Sequence, residues 1–338
     1  MRLLLAMFLA LALVAGCGGD DDDTADAGAD VNQLLEDTFS GDHQITSANV
    51  DFSGSVGGAN PLSLKVSGPF QTQGDGKLPK VDLQASLEGG GQTVEGGITS
   101  TGDQGFVSYQ GTDYEVSGPV FRQLEAAWEQ AASQQQGEGT SLGTLGIDPR
   151  NWLTNAKNAG DSKVGDTDTI KITGGVDVGK LLDDVDGVLE RARSLGLQGS
   201  GDLPERLSDE ERRQLTDAIK NVKVEIDTGK DDHILRRMAV SADVNSQESG
   251  EVPVQLELTL LDVNEDQEIE APENPRPFSE LLKGLQDLGI GAAIGAPPSG
   301  SGSGGGASSE NLEKYSQCVQ DAGSDTDKLR ECGELLTP

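Results

Sequence analysis

Few residues in this chain can do covalent chemistry. Cysteines stand at 17, 318 and 332, and histidines at 43 and 233. A thiol can be acylated, can close a disulfide, or can attack as a thiolate. Neither His43 nor His233 lies in a recognised nucleophile motif, and no G-x-S-x-G turn is present. A Ser-His-Asp set needs a shared geometry that such scattered residues do not imply, so no enzymatic activity is expected. Asp262, Asn264, Asp266 and Glu273 match the spacing of an EF-hand loop. Gln267 replaces the glycine that the loop needs, and Pro272 interrupts it. That run is read as the continuation of a strand. No metal and no cofactor is expected.

Cys17 is the thiol with the clearest context. Arg2 provides a short positive start, and Leu3 to Val14 is an apolar run. At about twelve residues the run is too short to span a bilayer and suits a signal-peptide core. Val14-Ala15-Gly16-Cys17 then resembles the bacterial lipobox, where cleavage before the cysteine is coupled to acylation of its thiol. The expectation is a signal peptide over residues 1–16 and lipid attachment at Cys17. Residues 17–30 contain GGDDDDTADAGAD, which has nothing to pack and reads as an acidic, self-repelling tether. Two or three acyl chains give a stable anchor. The mature chain is thus expected on the outer face of the cytoplasmic membrane, in an oxidising compartment. There Cys318 and Cys332 are expected to form a disulfide, two free thiols being the alternative. Closing a loop of about 15 residues contributes about 3 kcal/mol in the chain-entropy account.

The charge balance narrows the partners. Among 338 residues, 58 acidic side chains stand against 25 basic ones, for a net charge of −33. Nucleic-acid affinity comes largely from neutralising phosphates, so no nucleic-acid partner is expected. Anionic headgroups would repel the body, which leaves membrane attachment to the anchor. Past residue 16 no apolar run is long enough for a membrane-spanning helix. Aromatic residues make up 4% of the chain and glycines number 46. That scarcity of bulky side chains fits an incompletely filled interior or a compositional bias of the source genome.

The elements follow from periodicity. A short helix spans 31–39. Period-two alternation then marks Val50, Phe52 and Val56, next Leu62, Leu64 and Val66, and next Val81, Leu83, Ala85 and Leu87. Further strands are expected at 94–99 and 105–109, with glycine-rich turns between them. Phe121, Leu124, Ala127, Trp128 and Ala131 recur at helical spacing. A short helix is expected from Asp148-Pro149 to Leu153, a strand at 169–173, and an amphipathic helix over 177–195. Ser208 with Glu211 three residues later is a capping box for another helix. Strands return at Val222, Val224 and Ile226, at Met238, Val240, Ala242 and Val244, and at Val254, Leu256, Leu258 and Leu260. A helix over 278–288 follows. The pattern predicts an α+β fold with one large antiparallel sheet and helices on its apolar face. The expected organisation is a body over 31–290, a Gly/Ser linker over 291–309, and a small helical hairpin over 310–338.

This order of features resembles lipoproteins of the LppX/LprG type, whose fold is like that of the periplasmic carrier of outer-membrane lipoproteins. The lipobox and tether lead into VDFSGSV (Val50 to Val56) and a GTDY hairpin (Gly111 to Tyr114). DPRNWL (Asp148 to Leu153), DSKVGDTDTIKITGGVDVGKLLDDV (Asp161 to Val185) and PVQLELTLLDVNEDQEIEAP (Pro253 to Pro272) come after them. The match of pattern covers roughly residues 31 to 275. The resemblance implies a curved half-barrel that holds acyl chains of a lipid or glycolipid between its concave apolar face and its helices, with no catalysis. Burying each methylene contributes about 0.8 kcal/mol, so one long chain suffices for binding. The expected lining is Val50, Phe52, Val222, Val224, Ile226, Met238, Val240, Leu256 and Leu258. The rival reading is a cell-envelope interaction protein with a fully packed core, whose C-terminal module meets a protein partner.

Overall fold

The structure is a computed structural model that describes residues 30–39, 45–74, 77–134, 149–194, 207–246 and 250–287. Cys17, His43, most of the tether, the linker, and the module with Cys318 and Cys332 lie outside those residues. Met1–Gln198 with Leu203–Leu281 group as one compact unit, and Gly199–Asp202 with Leu282–Pro338 as another. The sheet belongs to the first of these units.

Twelve strands form one open sheet of half-barrel type. They are β1 (Ser47–Val56), β2 (Leu62–Gln71), β3 (Lys80–Gly89), β4 (Gln92–Ser100), β5 (Gly105–Tyr109), β6 (Thr112–Glu115), β7 (Leu153–Val164), β8 (Thr167–Val176), β9 (Ile219–Gly229), β10 (Leu235–Ser246), β11 (Gly250–Leu261) and β12 (Arg276–Pro277). The order is β12-β6-β5-β4-β3-β2-β1-β11-β10-β9-β8-β7, so β1 to β6 and β7 to β11 are two meanders joined where β1 pairs with β11. All pairs are antiparallel except β12 with β6, where Arg276 lies beside Tyr114. Six helices accompany the sheet among the described residues: α1 (Val31–Phe39), α2 (Gly118–Gln134), α3 (Pro149–Trp152), α4 (Val178–Ser194), α5 (Asp209–Ala218) and α6 (Phe278–Asp287).

Alternation decides which side is buried, because successive side chains on a strand point to opposite faces. Phe52 pairs with Leu258, Leu258 with Met238, Met238 with Ile226, and Ile226 with Ile172. This apolar row runs across five strands. One residue along, Ser53 pairs with Glu257, Glu257 with Ala239, and Ala239 with Glu225, on the polar side. Leu34, Leu35 and Phe39 of α1 pack with Trp152 of α3 and with Ile170, Ile172, Val224, Ile226, Leu235 and Met238. A second cluster joins Ile45, Ala48, Phe52, Phe70, Ile234, Leu258 and Leu260. Fully burying a side chain of this size contributes about 1.5–3 kcal/mol, so the two clusters hold the central sheet.

The 177–195 and 208-onward helices appear as α4 and α5. Ser208 caps α5 as its spacing implies: Glu211 N donates to Ser208 Oγ (3.3 Å), and Ser208 N donates to the Glu211 carboxylate (2.8 Å). Arg212 then bonds Asp186 (2.5 Å) and Asp183 of α4, which ties the two helices together. Strand β7 is a finding beyond the sequence reading, which placed nothing between the helix at 148–153 and the strand at 169–173. Its less exposed positions are mostly small, and its pairing with β8 is shifted twice, near Asn155 (φ 52°) and Gly160 (φ 93°).

Candidate functional site

The residues expected to line a cavity fall into two groups. Phe52, Val224, Ile226, Met238 and Leu258 are buried, at 6% exposure or less. Val50, Val222, Val240 and Leu256 are half-buried. Register places all of them on the apolar face except Val222, which lies beside the irregularity at Asn221 (φ 52°). Val224, Ile226 and Met238 sit with α1 and Trp152, and Phe52 and Leu258 sit in the second cluster. At the centre of the sheet these side chains meet other side chains.

The same face continues onto β2, β3 and β4, and there it is less covered. Leu64 lies opposite Gly54 and Leu87, and Leu87 lies opposite Val94. Leu83 lies opposite Ile98, which lies opposite Val107. Leu87 is 36% exposed, Val94 46% and Ile98 51%. Between these two rows of large side chains runs a row of smaller ones, Val66, Ala85 and Gly96. Ala85 and Gly96 leave a trough on the apolar face, flanked by Leu87 and Val94 on one side and Leu83 and Ile98 on the other. An apolar trough of this kind is a surface that water wets at a cost.

Helix α2 begins on this face. A Cβ at Gly105 would stand 2.7 Å from Phe121 Cδ2, so the buried Phe121 ring lies against β5 on the side of Val107. Glycine is required there because any side chain would enter the ring. The stripe that Phe121 starts continues along the helix but is exposed. Val120 and Leu124 are each 54% exposed and Trp128 39%. Sequence reading placed Leu87 on its strand and Leu124 and Trp128 in the helical stripe, but it put none of these, nor Val94, Ile98 or Val120, in the expected lining. The signal was Gly96-Gly97 between Val94 and Ile98, a strand with no bulky side chain between its two apolar residues.

The polar face carries a groove of about 530 Å³ over β2, β1, β11, β10 and β9, floored by Ser53, Ser55 and Ser241. Lys65 and Lys223 line it, and its other charged groups bond one another. Arg237 donates to Glu257 (2.6 Å), Glu225 (3.1 Å) and Asp227 (3.1 Å). Lys171 donates to Glu225 (3.2 Å) and Asp227 (3.3 Å), and Ser162 Oγ donates to Asp227 (2.6 Å). The Asp227 side chain is 2% exposed. Hydrogen bonds from Arg237, then from Lys171, hold the Glu225 carboxyl below the ordinary glutamate range. This closed network reads as a clasp across β8, β9, β10 and β11.

The remaining chemistry-bearing residues shape turns. Asn264 Oδ1 accepts from Thr46 N (2.8 Å) and Thr46 Oγ1 (3.1 Å), and Asp266 accepts from Gln71 (3.3 Å). Asp262 and Asn264 have positive φ, 51° and 63°, as the turn after β11 demands. His233 Nδ1 lies 3.1 Å from Asp37 Oδ2, which joins the β9–β10 turn to α1.

No family model matches the chain, and no curated protein does. Solved structures do. LprF from Mycobacterium bovis is 14% identical and covers 74% of this chain and 99% of its own, with a TM-score of 0.41. The Mycobacterium tuberculosis lipoprotein LppX is 13% identical and covers 67% of this chain and 90% of its own, with a TM-score of 0.31. A LolA superfamily protein from Nitrosomonas europaea is 9% identical and covers 70% of this chain and 96% of its own, with a TM-score of 0.16. The likeness concerns fold alone.

Proposed function

We propose that this chain is a lipid-anchored cell-envelope protein that binds or carries an acyl lipid or glycolipid, without catalysis, outside the cytoplasmic membrane. The observation that carries this reading is the trough on β3 and β4, where Leu87, Val94 and Ile98 stay exposed while Phe52, Leu258, Met238 and Ile226 at the centre of the same face are buried. A monomeric soluble domain gains by covering such a row, and a hydrocarbon chain laid over Ala85 and Gly96 would cover it at about 0.8 kcal/mol per methylene. Val50, Val240 and Leu256, half-buried, are the members of the expected lining within reach of such a chain along the same face. Buried Phe52, Val224, Ile226, Met238 and Leu258 form the floor beneath. The anchor is acylated Cys17, and Cys318 with Cys332 close the C-terminal module.

Native mass spectrometry of the chain from Gly18 onward, with organic extraction of the same sample, tests the reading. A discrete added mass that extracts as a lipid is the expected result and names the ligand. A bare protein that also takes up no fluorescent acyl probe overturns it and favours the rival, a packed interaction protein. The mass of alkylated protein before and after reduction checks the disulfide.

A further inference from the structure

We propose that α2 is a membrane-docking helix, whose exposed stripe of Val120, Leu124 and Trp128 lies in the interface of a lipid bilayer beside the trough. The inference rests on the reading of the chain as an anchored lipid carrier and names the partner through which its ligand would arrive.

Four observations carry it. First, the stripe is apolar and exposed, although the same stripe is buried at Phe121, where α2 starts. The helix is therefore fixed at one end to β5 and leaves the rest of its apolar side without a partner among the described residues. Second, the stripe ends in a tryptophan, the side chain that combines an apolar body with a polar N–H and settles at membrane interfaces. A helix of 17 residues is about 25 Å long, enough for an in-plane anchor. Third, α2 carries little charge for so acidic a chain. It carries Arg122, Glu125 and Glu129, against a net charge of −33 for the whole sequence. Anionic headgroups would repel this helix less strongly than they repel the chain as a whole. Fourth, the chain that precedes α1 ends at an acylated cysteine in the anchored reading. About thirteen residues between Cys17 and Asp30 reach at most about 45 Å, so the body cannot leave the bilayer's neighbourhood. Because α2 starts on β5, next to β4, a bilayer at the stripe adjoins the trough, and an acyl chain passes between them with little exposure to water.

The two tryptophans make the test direct. Trp152 is 2% exposed and donates its indole N–H to Asp184 (2.9 Å), so only Trp128 can report contact with lipid. The chain from Gly18 onward retains every described residue and lacks the anchor. Mixed with neutral phosphatidylcholine vesicles, its emission should shift to the blue and be quenched by brominated acyl chains. Trp128→Phe should abolish the quenching, and Leu124→Asp should lower vesicle partitioning at least tenfold. Val120→Asp, at a second exposed position, should do the same independently of any folding defect in the first variant. Emission that ignores vesicles overturns the proposal. So does a blue shift that depends on protein concentration without lipid, which would assign the stripe to a second copy of the chain. Uptake of a water-soluble short-chain acyl probe by the wild-type protein, measured without vesicles, separates the two readings. Uptake without docking removes this inference alone, and docking without uptake removes the carrier and leaves the helix a membrane contact.

Discussion

Arg237 sits among three carboxylates, and its removal should be expensive. The Asp227 side chain is 2% exposed and would keep Lys171 as its one remaining cationic partner among these contacts. Breaking a buried pair leaves charge without compensation, so Arg237→Met should destabilise the fold by about 2–4 kcal/mol in urea unfolding, with an unchanged denaturant slope. Glu225 gives a pH dependence of known sign. Its folded carboxyl titrates below the ordinary glutamate range, because Arg237 and Lys171 donate to it. Its contribution is present above the unfolded value and is lost as pH falls through the folded one. Glu225→Gln should therefore be less stable than wild type at pH 7, and the difference should shrink towards zero in acid, read from denaturation midpoints at both ends. Two isoleucines separate core from site. Ile226→Ala should cost about 2–5 kcal/mol because it leaves a cavity under α1. Ile98→Asp replaces a side chain 51% exposed, so it should change stability little and reduce acyl-probe uptake several-fold.

At the scale of elements, periodicity carries most of the information. Ser208 and Glu211 announce α5 in the sequence and cap it in the structure. Ser208→Ala should lower stability by about 1 kcal/mol, seen as a lower denaturation midpoint. The strands from β1 to β4 and from β9 to β11 alternate apolar with polar residues, so their faces are legible in advance. Strand β7 is not, because its less exposed residues Ala156, Asn158, Gly160 and Ser162 alternate with exposed Lys157, Asp161 and Lys163. The irregularity before Gly160 shifts them from the apolar face, where Asn158 lies opposite Ile172, to the polar face, where Ser162 bonds Asp227. Small against charged is a weak alternation, and two pairing irregularities break even that. The site is legible to a similar depth. Alternation shows which side of a strand is apolar but not what lies above it. The most hydrophobic strands, around Ile226 and Leu258, attract the covering helix and side chains. The exposed row falls on β4, where Gly96 and Gly97 give a covering element little to grip.

At the scale of the molecule, the sheet has two meanders and one seam. The residues of β1 to β6 and those of β7 to β11 pair mostly with their own sequence neighbours, which folds each half through local contacts. The exception is β1 with β11, where Phe52 meets Leu258 about two hundred residues away in sequence. A chain threaded through a membrane N-terminus first would emerge with β1 long before its partner. Until β11 arrives, the first meander waits with an open edge and half a core, a template for pairing with the wrong chain. The seam therefore sets a timetable: the last meander to be delivered closes the fold, and any helper that shields nascent strands is needed during that interval.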